Sequence, residues 1–196
     1  MDQPRQLVLA STSRYRRELL ERLGLRFETA GPHCDESALP GEAAPETALR
    51  LSLLKARSVA PRFADALIIG SDQVAASEGR PLGKPGNHES ATQQLRGLSG
   101  KAADFHTAIA LLDARSGAMQ SRVVRCRVVF RVLDERRIEA YLRREQPYDC
   151  AGSAKAEGLG IALIARMETE DPTSLIGLPL IALTEMLERA GMPVLG

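Results

Sequence analysis

The chain has 196 residues, enough to bury a hydrophobic core without disulfides or a structural metal. Its 26 Lys and Arg residues nearly balance 25 Asp and Glu residues, so it lacks the basic excess of a general nucleic-acid binder. Its three cysteines lack paired spacing, which argues against a disulfide framework or a zinc site. The sequence shows no signal-peptide pattern and no apolar run of about 20 residues. We therefore expect a soluble cytoplasmic protein without a membrane partner.

The chain begins with a predicted strand followed by a helix. Residues 6–10 ("QLVLA") are β-favourable, and the hydroxyl-bearing residues 11–13 that follow are suited to capping a helix. The pattern predicts a helix from about Tyr15 to Leu23, and Gly24 provides its end.

A second helix and a buried strand come next. The segment "TALRLSLLKARSVA" (47–60) predicts a helix with Lys55 about 120° away from the apolar stripe and therefore free to face another element. The predicted stripe consists of Leu49, Leu53, Ala56 and Ala60. The continuous apolar run "ALIIG" (66–70) predicts a strand buried on both faces.

The second half of the chain predicts three helices and an antiparallel strand pair. After a turn at 83–85, a helix is expected around Glu89–Leu95. Segments 104–114 and 121–133 flank a turn, and the second alternates Val with Arg, which indicates a strand with one wet face. Two further helices are expected at 134–145 and 179–191, the latter with Leu180, Leu183 and Leu187 on one face. We therefore predict one α/β domain covering residues 1–196, with a mixed sheet and flanking helices.

The start of the first helix is a candidate anion site. The segment "ASTSRYRRELL" places three hydroxyls and three arginines, Arg14, Arg16 and Arg17, around a helix N-terminus. Free N–H groups, the helix dipole and guanidinium groups all favour a phosphate there. An ordinary helix cap followed by solvated arginines explains the same pattern, and both interpretations stay open.

A carboxylate at the end of the buried strand is the second candidate. Asp72 follows the "ALIIG" strand at its C-terminal end, where open α/β sheets bind ligands. An ionised carboxylate there needs a cation, hydrogen-bond donors or a metal. Lys55 and Lys84 could supply positive charge, and Asp35-Glu36 could supply oxygen ligands for a hard divalent ion. An Asp that caps the next turn, among ordinary surface charges, is the alternative.

The glycine-rich segment "CAGSAKAEGLG" (150–160) carries Lys155 and Glu157 as its only charges. Its glycines would allow backbone to approach a ligand closely, although composition alone favours a glycine-rich bend between strands. Segment 171–180 ("DPTSLIGLPL") is compatible with a turn and a helix start. The usual phosphate-loop and dinucleotide motifs are absent, as is a nucleophile motif of a covalent triad.

Nine segments together resemble the Maf family of nucleoside triphosphate pyrophosphatases, in the family's order and over nearly the whole chain. They are "LASTSRYRRELLERLGLRFE", "CDE", "LRLSLLKA", "IIGSDQV", "LGKP", "LSGK", "HTAIAL", "AGSAKAEGLG" and "DPTSLIGLPL". Within the family, "SDQ" and "AGSAKAEGLG" resemble the branch associated with 7-methyl-GTP rather than the dTTP/UTP branch. The resemblance implies a mixed, twisted α/β sheet related to the inosine-triphosphate pyrophosphatases (Ham1-like), two lobes around a cleft, a divalent cation such as Mg²⁺ or Mn²⁺, and a homodimer.

The resemblance also implies roles for individual residues. Asp72 matches the proton acceptor, and Lys55, Lys84 and Glu36 match further catalytic positions, with Asp72 and Glu36 expected to bind the metal. Substrate binding is expected at Ser11, Ser13, Arg16 and Arg17, and specificity at Tyr15, Gln73 and Glu157. In the first motif, Arg14 stands where the family usually has Pro, which leaves the rigidity of that loop open.

The implied reaction is hydrolysis of 7-methyl-GTP to 7-methyl-GMP and diphosphate, by attack of water on the α-phosphorus. N7-methylation makes guanine cationic, so Tyr15 could stack on it while Glu157 accepts hydrogen bonds from its Watson–Crick edge. Two alternatives remain: the same reaction on dTTP, UTP or other modified nucleotides, and a nucleotide-binding regulator of cell division. No nucleic-acid partner is expected.

Overall fold

The computed structural model describes residues 5–195. Within this range the chain forms an α/β fold of strands and α-helices joined by short 3₁₀ turns. The strands are β1 (Leu7–Leu9), β2 (Glu28–Thr29), β3 (Leu67–Ser77), β4 (Arg80–Leu82), β5 (Ala102–Asp113), β6 (Met119–Phe130) and β7 (Ile164–Thr169). The helices are α1 (Arg14–Glu21), α2 (Ala44–Val59), α3 (His88–Leu98), α4 (Glu135–Glu145) and α5 (Leu180–Arg189).

The sheet is mixed, as the sequence predicts. Its strand order is β2-β1-β3-β5-β6-β7, with β4 paired to β3 off this path. β1 is parallel to both β2 and β3, whereas the β3–β4 and β6–β7 pairs are antiparallel. The expected helices are all present, and the predicted fold class is therefore confirmed.

The chain divides into two compact units. Within the described part, the first comprises residues 5–73, 107–124 and 171–195, and the second comprises 74–106 and 125–170. The sequence predicts a single domain over residues 1–196, of which 1–4 and 196 lie outside the described part. This domain boundary stays a prediction, and so does the predicted cleft between two lobes. Among residues 5–195, no helix combines the length and apolarity that a membrane-spanning segment requires.

The core of the first unit joins α1 and α5 to the parallel strands. Leu19 and Leu20 of α1 are fully buried, and one face of α5 packs into the same cluster. The buried residues of that face include the predicted Leu180, Leu183 and Leu187. Complete burial of one leucine side chain contributes about 1.5–3 kcal/mol. This packing fixes the beginning of α1 and the turn before α5 against the sheet.

The second unit contains α3, α4, β4 and β7. α3 contacts α4, and β6 turns Val124, Cys126, Val128 and Phe130 inward while the arginines between them are less buried. The predicted alternation of this strand is confirmed. β2, β4 and β7 carried no sequence prediction. The first two have only two and three residues, and β7 is largely exposed, so none shows a hydrophobic pattern.

Two sequence predictions in the first unit are wrong. The buried face of α2 is not the predicted stripe: Ala56 of that stripe is buried, but Leu49 and Leu53 are only partly buried. Lys55, predicted to face another element, is buried as well. The strand predicted to end at Gly70 continues as β3 to Ser77. The burial of Lys55 accompanies a close approach of α2 to β3 at Gly70, and β3 extends because Ala75–Ser77 pair with β4; neither contact can be read from periodicity.

Candidate functional site

Gly70 allows α2 to lie unusually close to β3. A Cβ atom at this position would overlap the carbonyl oxygen of Ser52 and would lie 2.9 Å from the backbone nitrogen of Ala56. Only glycine fits a strand position where another backbone passes at this distance. Because Ser52 and Ala56 flank Lys55 on the helix, the contact turns the Lys55 side chain toward β3.

Lys55 bridges two carboxylates. Its Nζ lies 2.7 Å from Oδ1 of Asp72 and 2.6 Å from Oε2 of Glu36. The side chains of Lys55 and Asp72 are 6% and 11% exposed, whereas that of Glu36 is 52% exposed. A buried ammonium group requires such partners, because removing a charge from water is strongly unfavourable unless nearby groups of opposite charge compensate it. The structure thus brings together three residues that are far apart in sequence.

Asp72 lies in the middle of β3, not at its end as predicted, but it does lie beyond the end of β1. Pairing of β1 with β3 runs from Leu67 to Ile69, and the nitrogen of Ala10 donates to the oxygen of Ile69 at 2.8 Å. Asp72 therefore occupies the carboxyl side of the parallel strands, the usual place of ligand sites in α/β sheets. Among residues 5–195, its second oxygen, Oδ2, receives no hydrogen bond from the protein and remains available to a ligand.

The donor set at this site fits a hard divalent cation. Asp72 and Glu36 offer carboxylate oxygens, and their two negative charges exceed the single positive charge of Lys55. No group of three or more His, Cys, Asp or Glu residues suited to a metal occurs in the described part of the chain. Mg²⁺ is usually held by one or two carboxylates together with substrate phosphates and water, so two carboxylates suffice. The residues present are therefore compatible with the expected cation.

The N-terminus of α1 forms a second polar cluster in the same unit. Ser13 is the N-cap, and its hydroxyl accepts from the nitrogen of Arg16 at 3.4 Å. The buried hydroxyl of Ser11 accepts from the nitrogen of Ser13 at 3.1 Å and lies 3.5 Å from Nη1 of Arg16. Burial lowers the pKa of Arg16, and the negative charges of Asp72 and Glu36 oppose this shift. Arg16 thus lies within electrostatic reach of the carboxylates.

A turn that sequence analysis treated as a simple connection holds both clusters. The carbonyl oxygen of Gly177 accepts from Nε of Arg16 at 2.9 Å and lies 3.0 Å from Oγ of Ser71. Gly177 has φ 123°, which favours glycine. This turn fixes the guanidinium of Arg16. The Gly-Leu-Pro sequence indicates a turn at this position, but it does not identify the groups that the Gly177 carbonyl contacts.

Gln73 is tied to the same turn. Its Nε2 donates to Oγ1 of Thr107 at 2.9 Å and lies 3.0 Å from the carbonyl oxygens of Ser174 and Leu175. The hydroxyl of Thr107 also donates to the oxygen of Ser174 at 2.8 Å. Thr107 and Ser174 are buried. The side-chain nitrogen of Gln73 therefore orders the turn, and the expected role of Gln73 in specificity stays a prediction.

In the first motif, Arg14 and Arg17 are exposed and Tyr15 is partly buried. Arg14, which replaces the usual Pro, donates from Nη2 to the hydroxyl of Tyr15 at 2.7 Å, and its Cζ lies 4.7 Å from the centre of that ring. Arg17 is exposed and pairs with Glu21 at 3.0 Å one helical turn later. The structure does not join Arg17 to the Ser11–Arg16 cluster, so its substrate-binding role stays a prediction.

Lys84 and Glu157 belong to the second unit. Both are exposed, and within residues 5–195 neither forms an ion pair. Lys84 lies in the connection between β4 and α3, and Glu157 lies in a turn of the glycine-rich segment. Their joint action with Asp72 and Lys55 stays a prediction.

Known proteins resemble this chain over nearly its full length. The profile of the family described as "Maf-like protein" matches residues 6–190. A protein of Thiobacillus denitrificans named 7-methyl-GTP pyrophosphatase is 60% identical over 189 residues, which cover 96% of this chain and 94% of that protein. A protein of the same name from Cupriavidus pinatubonensis is 58% identical over 187 residues, covering 95% and 94%.

Solved structures show a weaker likeness. A HAM1 protein from Coxiella burnetii matches with a TM-score of 0.46 and 19% identity, covering 64% of this chain and 72% of that one. The Ham1 protein of Staphylococcus aureus gives a TM-score of 0.43 at 19% identity, covering 66% and 72%. Likeness of this size assigns no chemistry.

Proposed function

The chain belongs to the Maf family, and on this premise we propose that it hydrolyses 7-methyl-GTP to 7-methyl-GMP and diphosphate. The structural observation that carries the proposal is the buried Lys55–Asp72 pair with its neighbour Glu36. Support for the base comes from relatives 54–60% identical to this chain, which are named 7-methyl-GTP pyrophosphatase.

Asp72 is the proposed proton acceptor. Its Oδ1 accepts from Nζ of Lys55 at 2.7 Å, and this charge-assisted hydrogen bond fixes the orientation of the carboxylate. Oδ2 has no hydrogen-bond donor among residues 5–195 and can take a proton from a water molecule. A positioned general base of this kind contributes about 10²–10⁴-fold to a rate. The activated water would attack the α-phosphorus, and diphosphate would leave.

Asp72 and Glu36 would hold the divalent cation, Mg²⁺ or Mn²⁺. When bound, such an ion neutralises phosphate charge and makes water more acidic. The remaining groups would bind the substrate's anionic end: the positive end of the α1 dipole, the hydroxyls of Ser11 and Ser13, and the guanidinium of Arg16. Lys84 is the proposed cation from the second unit.

Tyr15 and Glu157 are the proposed base-recognition residues. A cationic 7-methylguanine gains about 0.5–2 kcal/mol by stacking on an aromatic ring. Arg14 already lies over the Tyr15 ring, so the base would use the opposite face or displace this guanidinium. Glu157 is exposed and suited to accept hydrogen bonds from the Watson–Crick edge. We also propose a homodimer located in the cytoplasm, as the family resemblance implies.

The test is a panel of triphosphates assayed for diphosphate release, with and without a chelator. We expect preference for 7-methyl-GTP over GTP, dTTP and UTP, and loss of activity with EDTA that Mg²⁺ or Mn²⁺ restores. Equal turnover of 7-methyl-GTP and dTTP would refute the substrate assignment, and full activity in EDTA would refute the metal.

A matched pair of substitutions tests the role of Asp72. Asp72→Asn removes the base while keeping the shape of the side chain, and we expect turnover to fall by about 10³-fold. Asp65→Asn is the control, because Asp65 is an exposed partner of Arg115 in the same unit. Near-normal turnover by a folded Asp72→Asn protein would remove Asp72 from its role.

A further inference from the structure

Glu145, in the second unit, organises the glycine-rich segment that carries Glu157. It is the last residue of α4, and its side chain is only 11% exposed. A carboxylate at this position lies at the negative end of the helix dipole, which is electrostatically unfavourable. Its burial there requires donors from another part of the chain.

Those donors come from the segment 155–159. Oε1 of Glu145 lies 2.7 Å from Nζ of Lys155, and Oε2 accepts from the backbone nitrogen of Leu159 at 2.7 Å. One turn earlier on α4, the hydroxyl of Tyr141 accepts from the nitrogen of Lys155 at 3.0 Å. Lys155 and the Leu159 amide lower the pKa of Glu145. The segment is therefore fastened to α4 on both sides of Glu157.

Two glycines are explained by this attachment. A Cβ atom at Gly158 would lie 2.6 Å from Oε2 of Glu145, and a Cβ atom at Gly160 would lie 2.6 Å from the nitrogen of Lys155. Neither position has a positive φ. At Gly160 the near atoms are backbone of Lys155, so close approach requires glycine there, whereas at Gly158 they are the carboxylate of Glu145. The carboxylate of Glu145 is thus enclosed by the segment that it holds.

The arrangement also sets the local charge. Lys155 and Glu157 are two residues apart and would cancel each other if Lys155 were not paired. Glu145 neutralises Lys155 at 2.7 Å, whereas Glu157 has no ion-pair partner among residues 5–195. The segment together with Glu145 therefore carries a net negative charge, located on the exposed Glu157.

We propose that Glu145 is a positioning residue for base selection: it fastens the 155–159 segment and neutralises Lys155, so that Glu157 presents uncompensated negative charge to a cationic purine. This inference rests on the proposed function, because it takes Glu157 as the residue that recognises the base. Glu145 does not touch the substrate in this proposal; it acts through the charge and placement of Glu157.

The test compares a cationic with a neutral base in the Glu145→Gln protein. The measurements are kcat/KM for 7-methyl-GTP and GTP, and Kd for 7-methyl-GMP and GMP. We expect the preference for the methylated base to fall about five- to tenfold in both measurements, the size expected when one positive charge is freed near a bound cation in a partly solvated site. Turnover of GTP should change much less. Glu139→Gln, a partly buried acid on the same helix that pairs with His88 and Arg143, is the control.

A second variant separates charge from folding. Glu145→Gln combined with Lys155→Gln removes both charges of the pair, and we expect the preference to return to within about twofold of the wild type, even if Glu145→Gln alone is destabilised. The inference is overturned if Glu145→Gln weakens both nucleotides equally, if it leaves the preference unchanged, or if the double variant loses the preference. Failure of the proposed function appears differently, as a wild-type protein that does not distinguish 7-methyl-GTP from GTP.

Discussion

Substitution of Gly70 by Ala tests how closely the proposed catalytic pair, Lys55 and Asp72, depends on the contact between α2 and β3. The change adds one methyl group in a strand that is buried at this point. That methyl carbon would overlap the carbonyl oxygen of Ser52 and lie 2.9 Å and 3.0 Å from N and Cβ of Ala56. All of these atoms belong to helix backbone or to a short side chain, so no rotamer change can relieve the overlap.

The helix must therefore move. Restoration of ordinary contacts requires a separation of about 3.5 Å between carbon atoms, which corresponds to a displacement of α2 by about 1 Å. Overpacking of this kind costs about 1–3 kcal/mol of folding free energy. Lys55 is carried by the same turn of α2, and its 2.7 Å bond to Asp72 would lengthen beyond hydrogen-bond range. A misplacement of about 1 Å in a catalytic group can cost about 10²-fold in rate.

Two measurements check the prediction. Denaturant unfolding should show a loss of about 1–3 kcal/mol in Gly70→Ala, and diphosphate release should show kcat reduced by about 10²-fold. Gly97→Ala is the matched control. Gly97 lies in α3, is exposed, and has open space where a Cβ would be placed. This control should be stabilised by about 0.5–1 kcal/mol, with normal turnover.

The outcome for Gly70→Ala can contradict the argument in two ways. Wild-type stability would show that α2 and β3 are not in close contact. Reduced stability with normal kcat would show that the contact exists but does not position Lys55 and Asp72.

Three further predictions concern pH, thiol reactivity and the turn before α5. Hydrogen bonds from Arg50 lower the pKa of Glu42 from 4.5 to about 2, so the stabilisation is complete above pH 4.5 and is lost as pH falls toward 2; Glu42→Gln should flatten the unfolding curve in that window. Burial raises the pKa of Cys126 to about 11, so mass spectrometry should find this thiol unalkylated by iodoacetamide at pH 8 until the protein unfolds. Gly177→Ala places a side chain at φ 123°, and we expect a loss of about 1–3 kcal/mol in denaturant unfolding together with a higher KM, because the carbonyl that holds Arg16 would turn away.

The sequence by itself determined the local elements and the chemical character of the candidate groups. The cap at Ser13, the inward face of α5 and the alternation of β6 depend on short-range preferences and periodicity, and the structure confirms them. The family resemblance, carried by motifs along the whole chain, indicated the reaction. None of this information depends on which residues distant in sequence are neighbours in space.

Only the tertiary structure decided which side chains meet. The leucine stripe of α2 was a reasonable prediction from hydrophobicity, but the fit of its backbone against Gly70 rotated Lys55 inward to Asp72 instead. Likewise, the pairing of Glu145 with Lys155 joins the end of α4 to a segment whose composition predicts only a bend between strands. Contacts of this kind depend on steric fit and on neutralisation of buried charge between distant segments, and a linear pattern of residue types records neither.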